Sequence, residues 1–377
     1  MTSWWNNLRL KSGNTEVRRK ALERLDPATD ARALEWLQAG LGDDEAQVRC
    51  AAAKALGTSS DPAAVETLIP ALHDPNGEVR EAAAASLGRL GDNRASGLLV
   101  GALQDPSPGV RAAAACALRD LAWRPATVEE QAVYEIGLGN HRLAAQQGGV
   151  AVDSLVTELK HDTSFKRRAA AEALEGVDDP RRIIPLLEAM QDEDATVRVS
   201  AIHALSHDTS ERVTAALLKV FRDPDPNVRL AAAQALARRS EPACASHFLA
   251  LLADPHFEVR LTAVEFLGKT AQPQFAEALA PLTGDSDSDV RRAAVQALGL
   301  LGNPCAIEPL VLALADEEPV VRRTAEQSLT QLDPHWPQTE AAQLASGRLE
   351  AVLNERPAWV RASVTPVLAK LHAAQPA

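Results

Sequence analysis

The sequence predicts an all-α protein, an α-solenoid (superhelix) of about eleven stacked helical hairpins, and three observations carry that prediction. First, a phrase recurs: an apolar residue, Arg, two variable residues, Ala, three more, then Leu. Examples are VREAAAASL at 79–87, VRLAAAQAL at 228–236 and VRRAAVQAL at 290–298. Its closing Leu falls at Leu25, Leu56, Leu87, Leu118, Leu174, Leu205, Leu236, Leu267, Leu298, Leu329 and Leu368, so eight of the ten intervals are 31 residues. A fixed period of that length marks a repeat array. Second, aromatic residues make up only 3% of a chain that is 46% hydrophobic. A core of Ala and Leu suits close helix-on-helix packing, whereas sheets want β-branched and aromatic side chains. Third, each period holds two segments of helical hydrophobic spacing parted by turn residues. One such hairpin cannot bury its apolar face alone, but stacked neighbours can.

Taken in order, Trp4, Trp5 and Leu8 precede the first unit and are expected to cover its open face, because the ends of an array need caps. The third unit shows how a hairpin is built. Val65, Leu68, Ile69 and Leu72 of DPAAVETLIPALHD (61–74) have helical spacing. Asp61 stands as N-cap and Pro62 at the first helical position. Asp74-Pro75-Asn76-Gly77 is turn chemistry. A second helix then starts near Glu78 with Val79, Ala83 and Leu87 on one face, and Gly91 closes it as a C′ residue. Ala holds the fifth motif position in every unit but the last, from Ala21, Ala52 and Ala83 to Ala294 and Ala325, where adjacent helices must approach closely; Val364 takes that place at the end.

Between Leu118 and Leu174 the interval is 56, so about 25 residues are inserted into one unit. Trp123-Arg124-Pro125 ends the preceding helix, and Thr127 with Glu130 makes a capping box. TVEEQAVYEIGLG is expected to be helical, with Ala132, Ile136 and Tyr134 turned inward, followed by a short helix around His141–Gln147. After Gly148-Gly149, VAVDSLVTEL resumes a normal first helix. Trp336, Trp359 and the 39-residue last interval are expected to cap the far end. The predicted divisions are 1–125 for the first repeats with their cap, 126–149 for the insertion, and 150–377 for the remaining repeats and cap.

The phrase GNPCAIEPLVLALADEEPVVRRTAEQSL (302–329) resembles the HEAT repeat, and specifically the short variety called PBS-lyase HEAT-like repeats. The resemblance runs from about residue 14 to 371. The inserted W-x-P, Y-x-I and A-x-x-G-x-x-A-V phrases look like an insertion found in bacterial and archaeal proteins of that type. The resemblance implies a right-handed stack whose second helices line a concave face. Six residues before each motif Arg stands an acid in nine of the eleven units, from Asp43 before Arg49 to Glu355 before Arg361. The resemblance implies that such pairs link neighbouring units, and recurrence argues the same way, since a catalytic site would occur once. The Asp can also cap the second helix. No chemistry is assigned to the series.

A formal net charge of -12 opposes a phosphate-binding surface, so nucleic acid is not the expected partner. A base-excising HEAT-like protein would need a basic groove with aromatics at its base. No run of about 18 apolar residues exists to cross a membrane. The start, MTSWWNNLRLKSG, lacks the apolar stretch of a signal peptide. Cys50, Cys116, Cys244 and Cys305 form no C-x-x-C pair. A soluble, reduced, cytoplasmic protein is therefore expected. His203 and His207 have the i, i+4 spacing of metal ligands, yet no Glu follows either and no third ligand is evident, so a surface pair is expected. HEAT-like deoxyhypusine hydroxylases require His-Glu dyads for iron, and the chain contains none. With no G-x-S-x-G and no phosphate-binding glycine loop, neither catalysis nor a cofactor nor a metal is expected. The repeat's name alone raises the alternative of a bilin-lyase-like subunit acting on a chromophore protein.

What remains is a surface that binds a partner protein or peptide. At 100° per residue the third and seventh motif positions point away from the core side of each second helix. The third positions include Val199, Leu230 and Leu261, three consecutive apolar residues, followed by Arg292 and Arg323. The seventh include His203, Gln234 and Glu265. These eight are the candidate partner-binding residues, since an apolar stripe beside a basic rim suits a peptide or a helix. The competing reading buries the stripe between neighbouring helices of a tightly curved stack. The insertion likewise reads either as a docking element or as a hairpin that changes curvature. Nothing in the sequence selects an oligomeric state.

Overall fold

The computed structural model describes residues 9–27, 32–239 and 242–374. Trp4, Trp5 and Leu8 lie outside them. Among the described residues the elements are helices and short 3-10 turns, with no strand. They pack as two compact units, one running to Ala189 and the other beginning at Met190. Each unit is an α-solenoid of consecutive hairpins. Within each, a second helix packs against the second helix of the hairpin that follows.

The third hairpin shows the local causes. Asp61 Oδ1 accepts the Ala63 N–H at 2.9 Å, and the helix runs Ala63–Leu68. Pro70 then offers no N–H, so the α-helical bonding cannot continue and the chain tightens into the 3-10 turn Ile69–His73. The second helix, Gly77–Leu90, begins behind Asn76, whose Oδ1 accepts from Glu78 N–H at 2.8 Å, and it ends at Gly91 with φ 71°. The acid of the Asp–Arg series is therefore not the N-cap. Asp74 instead accepts the Asn76 N–H at 2.9 Å, holding the turn that places the cap.

Packing explains the small residues. The ten Ala side chains at the fifth motif position are buried, Ala21 at 4% exposed and the other nine at 0%. Glycine marks a second close approach that the motif did not reveal. A Cβ on Gly88 would lie 2.7 Å from Ala117 Cα, and one on Gly268 would lie 2.6 Å from Ala297 Cβ. Consecutive second helices therefore meet almost backbone to backbone. Replacing Ala232 by Leu is expected to destabilise by about 1–3 kcal/mol, because methylenes forced into a closed contact displace their neighbours. The urea midpoint measures this, and an unchanged midpoint would remove Ala232 from the helix contact.

The Asp–Arg series is a ladder with two rails. In the second unit Arg198, Arg229, Arg260 and Arg291 each place Nε and Nη2 on the carboxylate of the acid 25 residues later: Asp223, Asp254, Asp285 and Asp316. Each Nη1 donates to the carbonyl of the acid six residues earlier, in its own hairpin. The first unit repeats the arrangement with Arg18–Asp43, Arg49–Asp74 and Arg80–Asp105. One fork thus ties its own turn to the next one through a planar, bidentate pair. Across the Arg80 rung, burial pushes the Asp105 carboxyl up, but the guanidinium and the Ser107 N–H outweigh it and hold the group below the usual carboxylate range.

At the far end the ladder closes differently from the expectation. Trp336 is buried as a cap should be. Trp359 is not: it is 53% exposed and its ring lies 5.1 Å from the Arg322 guanidinium. Among the described residues Arg322 has no carboxylate partner: the residue 25 positions on is Gly347 rather than an acid, and the guanidinium meets the Trp359 indole face instead.

Candidate functional site

The candidate row is built by five second helices of the second unit: Ala195–Leu205, Pro226–Arg239, Phe257–Lys269, Ser288–Leu301 and Pro319–Leu332. Turn acids cap three of them. Asp194 accepts from Thr196 N–H at 2.8 Å, Asp225 from Asn227 N–H at 2.8 Å and Asp287 from Asp289 N–H at 2.9 Å. The ladder then fixes each helix against the next, so the residue after each motif Arg recurs at one height. Behind the row, Phe221, Phe248 and Phe266 form an aromatic cluster, with ring centroids 5.2 and 4.1 Å apart.

Val199, Leu230, Leu261 and Arg292 are half-buried, and Arg323 is exposed. His203, Gln234 and Glu265, one turn further on, are exposed. The half-burial has a visible cause in the first unit, where the same position abuts the first turn of the following helix. Cys50 Sγ lies 3.8 Å from the Glu78 carbonyl, and a side chain at Gly109 would collide with the Glu81 carboxylate. In the first unit one flank of these third-position side chains is thus covered by the next helix. Arg292 also lies 3.4 Å from Asp289, one turn earlier. His203 lies in the last turn of its helix and His207 just beyond the end, both exposed. Among the described residues no group of three or more His, Cys, Asp or Glu is arranged to hold a metal ion.

Phe257 was not among the sequence candidates. It is 38% exposed and stands one helical turn before Leu261, so the two share a face. It lies outside the nine-residue motif, and only its i, i+4 spacing to Leu261 marks it. Among the described residues no helix is long and apolar enough to cross a membrane.

The insertion, in the first unit, forms the helices Val128–Gly137 and His141–Ala145 and a 3-10 turn at Gly148–Ala151. Thr127 Oγ1 accepts the Glu130 N–H at 3.1 Å, while the Glu130 carboxylate takes the Ala126 N–H at 2.7 Å, a capping box displaced by one residue. Ala132 and Ile136 are buried, and Tyr134 meets Trp123 edge to face at 5.6 Å.

Lengthening the unit removes the acid that Arg111 would meet 25 residues on. Glu158 replaces it, reaching Arg111 Nη2 from the end of the helix Val152–Glu158. It also lies 3.7 Å from His141 Nε2, while His141 Nδ1 faces the Gly139 carbonyl at 3.0 Å. Burial pushes the Glu158 carboxyl up, but His141 and Arg111 outweigh it and bring it down to about 2. His161 occupies the acid's place in the turn and keeps half its work, accepting the Thr163 N–H at 3.1 Å. The two tasks of one Asp are here divided between two residues.

A match to a known family agrees with this architecture. A family model described as HEAT repeats matches residues 7–70, 34–119, 65–133, 152–237, 183–256, 214–296, 245–330 and 279–369. No curated protein matches the chain. Among solved structures the chain is similar to an engineered protein at 20% identity, covering 88% of this chain and 99% of that one with a TM-score of 0.41. It is similar to a structure from work on a phosphorylation switch in the interaction between cadherin and beta-catenin, at 16% identity, 99% of both chains and a TM-score of 0.45. It is also similar to human deoxyhypusine hydroxylase in complex with glycerol, at 21% identity, 80% of this chain, 95% of that one and a TM-score of 0.29.

Proposed function

The chain belongs to the HEAT-repeat family, and on that premise we propose that it is a non-catalytic interaction scaffold, holding a partner protein or peptide along the concave side of its second helices. The observation that carries this reading is the row Val199, Leu230 and Leu261. These are three half-buried apolar side chains at one register, and Arg292 and Arg323 continue the row. His203, Gln234 and Glu265 border it with groups that can accept or donate hydrogen bonds. Apolar contact would supply affinity and the basic end would set orientation and encounter rate.

The net charge of -12 disfavours a nucleic-acid ligand for the same surface. The test is affinity purification of the tagged chain from its source cells with mass spectrometry, followed by reconstitution with each recovered protein. An Arg292→Glu variant is expected to weaken a genuine complex mainly by slowing association, with a reduced salt dependence, as rim charges do. Stopped-flow association rates at two salt concentrations check this. Rates and salt dependence equal to those of the unmodified chain would remove Arg292 from the site.

A further inference from the structure

We propose that the cleft beside the insertion, in the first unit, is a separate docking site that takes one cationic side chain, lysine or arginine, of a partner protein. The cleft measures about 430 Å³ and lies between the turn after Leu103, the insertion helix Val128–Gly137 and the helix Val152–Glu158. Leu103, Val133, Ile136 and Val150 give it an apolar wall, with Val150 exposed at the mouth.

The charges around that wall do not cancel. Asp105 is held bidentate by Arg80 at 2.8 Å, and Arg111 is paired with the buried Glu158. Asp153 meets Arg181 at 2.8 Å on an exposed edge. Glu129 makes no ion pair or side-chain hydrogen bond among the described residues, so one carboxylate stands unmatched beside an apolar wall. A lysine or arginine side chain fits such a surface, because its methylene stem buries against apolar atoms while the charged head stays at the polar rim. The net charge of -12 also draws cationic partners toward the chain.

The larger hollow in the second unit, about 760 Å³, makes the contrast. There Arg291 pairs with Asp316, Arg348 with Glu308 and Arg356 with Glu317, so its lining asks for no ion. The insertion cleft sits in a different unit from the row of Val199, Leu230 and Leu261, and either site can fail without the other.

The test titrates the full chain with Nα-acetyl-lysine N-methylamide, following the methyl resonances of Val133, Ile136 and Val150. The norleucine derivative, with a similar stem and no charge, is the control. Saturable shifts are expected with the lysine derivative, with affinity reduced about two- to fivefold by Glu129→Gln and by the norleucine control, the range of a single solvent-accessible ion pair. Glu129 is an exposed first-turn residue, so its replacement is expected to leave the melting temperature in place. The absence of saturable shifts, equal affinity for the two derivatives, or unchanged lysine affinity in Glu129→Gln would each overturn the proposal.

Discussion

An Arg229→Met variant is expected to lose about 3–5 kcal/mol of stability in the second unit, because removing one member of a buried pair strands the charge of the other. Arg229 and Asp254 are both buried, and the guanidinium meets the two carboxylate oxygens at 2.7 and 2.9 Å. Its Nη1 also serves the Asp223 and Pro224 carbonyls, which would lose their donor. A loss of this size is a large part of the roughly 5–15 kcal/mol that holds an ordinary domain together. The pH dependence gives the prediction its sign. Burial pushes the Asp254 carboxyl up, but Arg229 and the His256 N–H outweigh it and leave the group below its ordinary value. In the unmodified chain Asp254 therefore adds stability above the ordinary carboxylate pKa of about 4, and that stability is lost as pH falls through the lowered value. Without Arg229 only burial and the weaker partners remain, and a carboxyl raised by burial is relieved by protonation. The gap between the two proteins should accordingly narrow as the pH is lowered through about 4. Replacing Asp254 by Leu in the same variant should recover much of the loss at neutral pH. Urea unfolding of the three proteins across that range checks it, and a gap independent of pH would show that the stranded carboxylate is not the cause.

The period of 31, the buried Ala positions and the Asp–Arg series were legible in the sequence because each recurs, and recurrence separates a packing rule from an accident. What the sequence hid was mostly relational. The Arg fork could be assigned to its own turn or the next, and the structure shows that it serves both, Nη1 on one and the bidentate face on the other. Glu158 was invisible because the insertion shifted the acid by one helical turn out of register, leaving His161 where the pattern places a carboxylate. Trp359 is expected as a lid because the ends of an array need caps, but its ring is exposed and lies beside the Arg322 guanidinium, a pairing that no spacing signals. The glycines at Gly88 and Gly268 carry no signal until the partner helix is known to lie on them. For the row of Val199, Leu230 and Leu261, spacing placed the side chains on one face. It could not show that each is half-buried.

That half-burial shapes the largest functional effect expected. Changing Leu230 and Leu261 together to Asp should abolish partner capture while leaving the second unit folded. The cost to folding should be about 1 kcal/mol at each site, roughly half of what fully burying a leucine contributes. Both side chains stand outside the Phe221–Phe248–Phe266 cluster and outside the Ala contacts, so neither change opens a cavity in the core. At the interface the arithmetic differs. Each carboxylate would have to give up its water against an apolar partner face with no counter-charge supplied, a cost of several kcal/mol. At 1.4 kcal/mol per tenfold, two such sites remove any complex of ordinary affinity. A Leu230→Met and Leu261→Met pair, which keeps volume and apolarity, should retain capture and so separates loss of the apolar surface from loss of shape. The decisive measurement sets the unfolding curves of both double variants beside their partner recovery. Unfolding of the Asp variant would assign the stripe to the core between helices, and a folded Asp variant with unchanged partners would place the docking surface elsewhere on the chain.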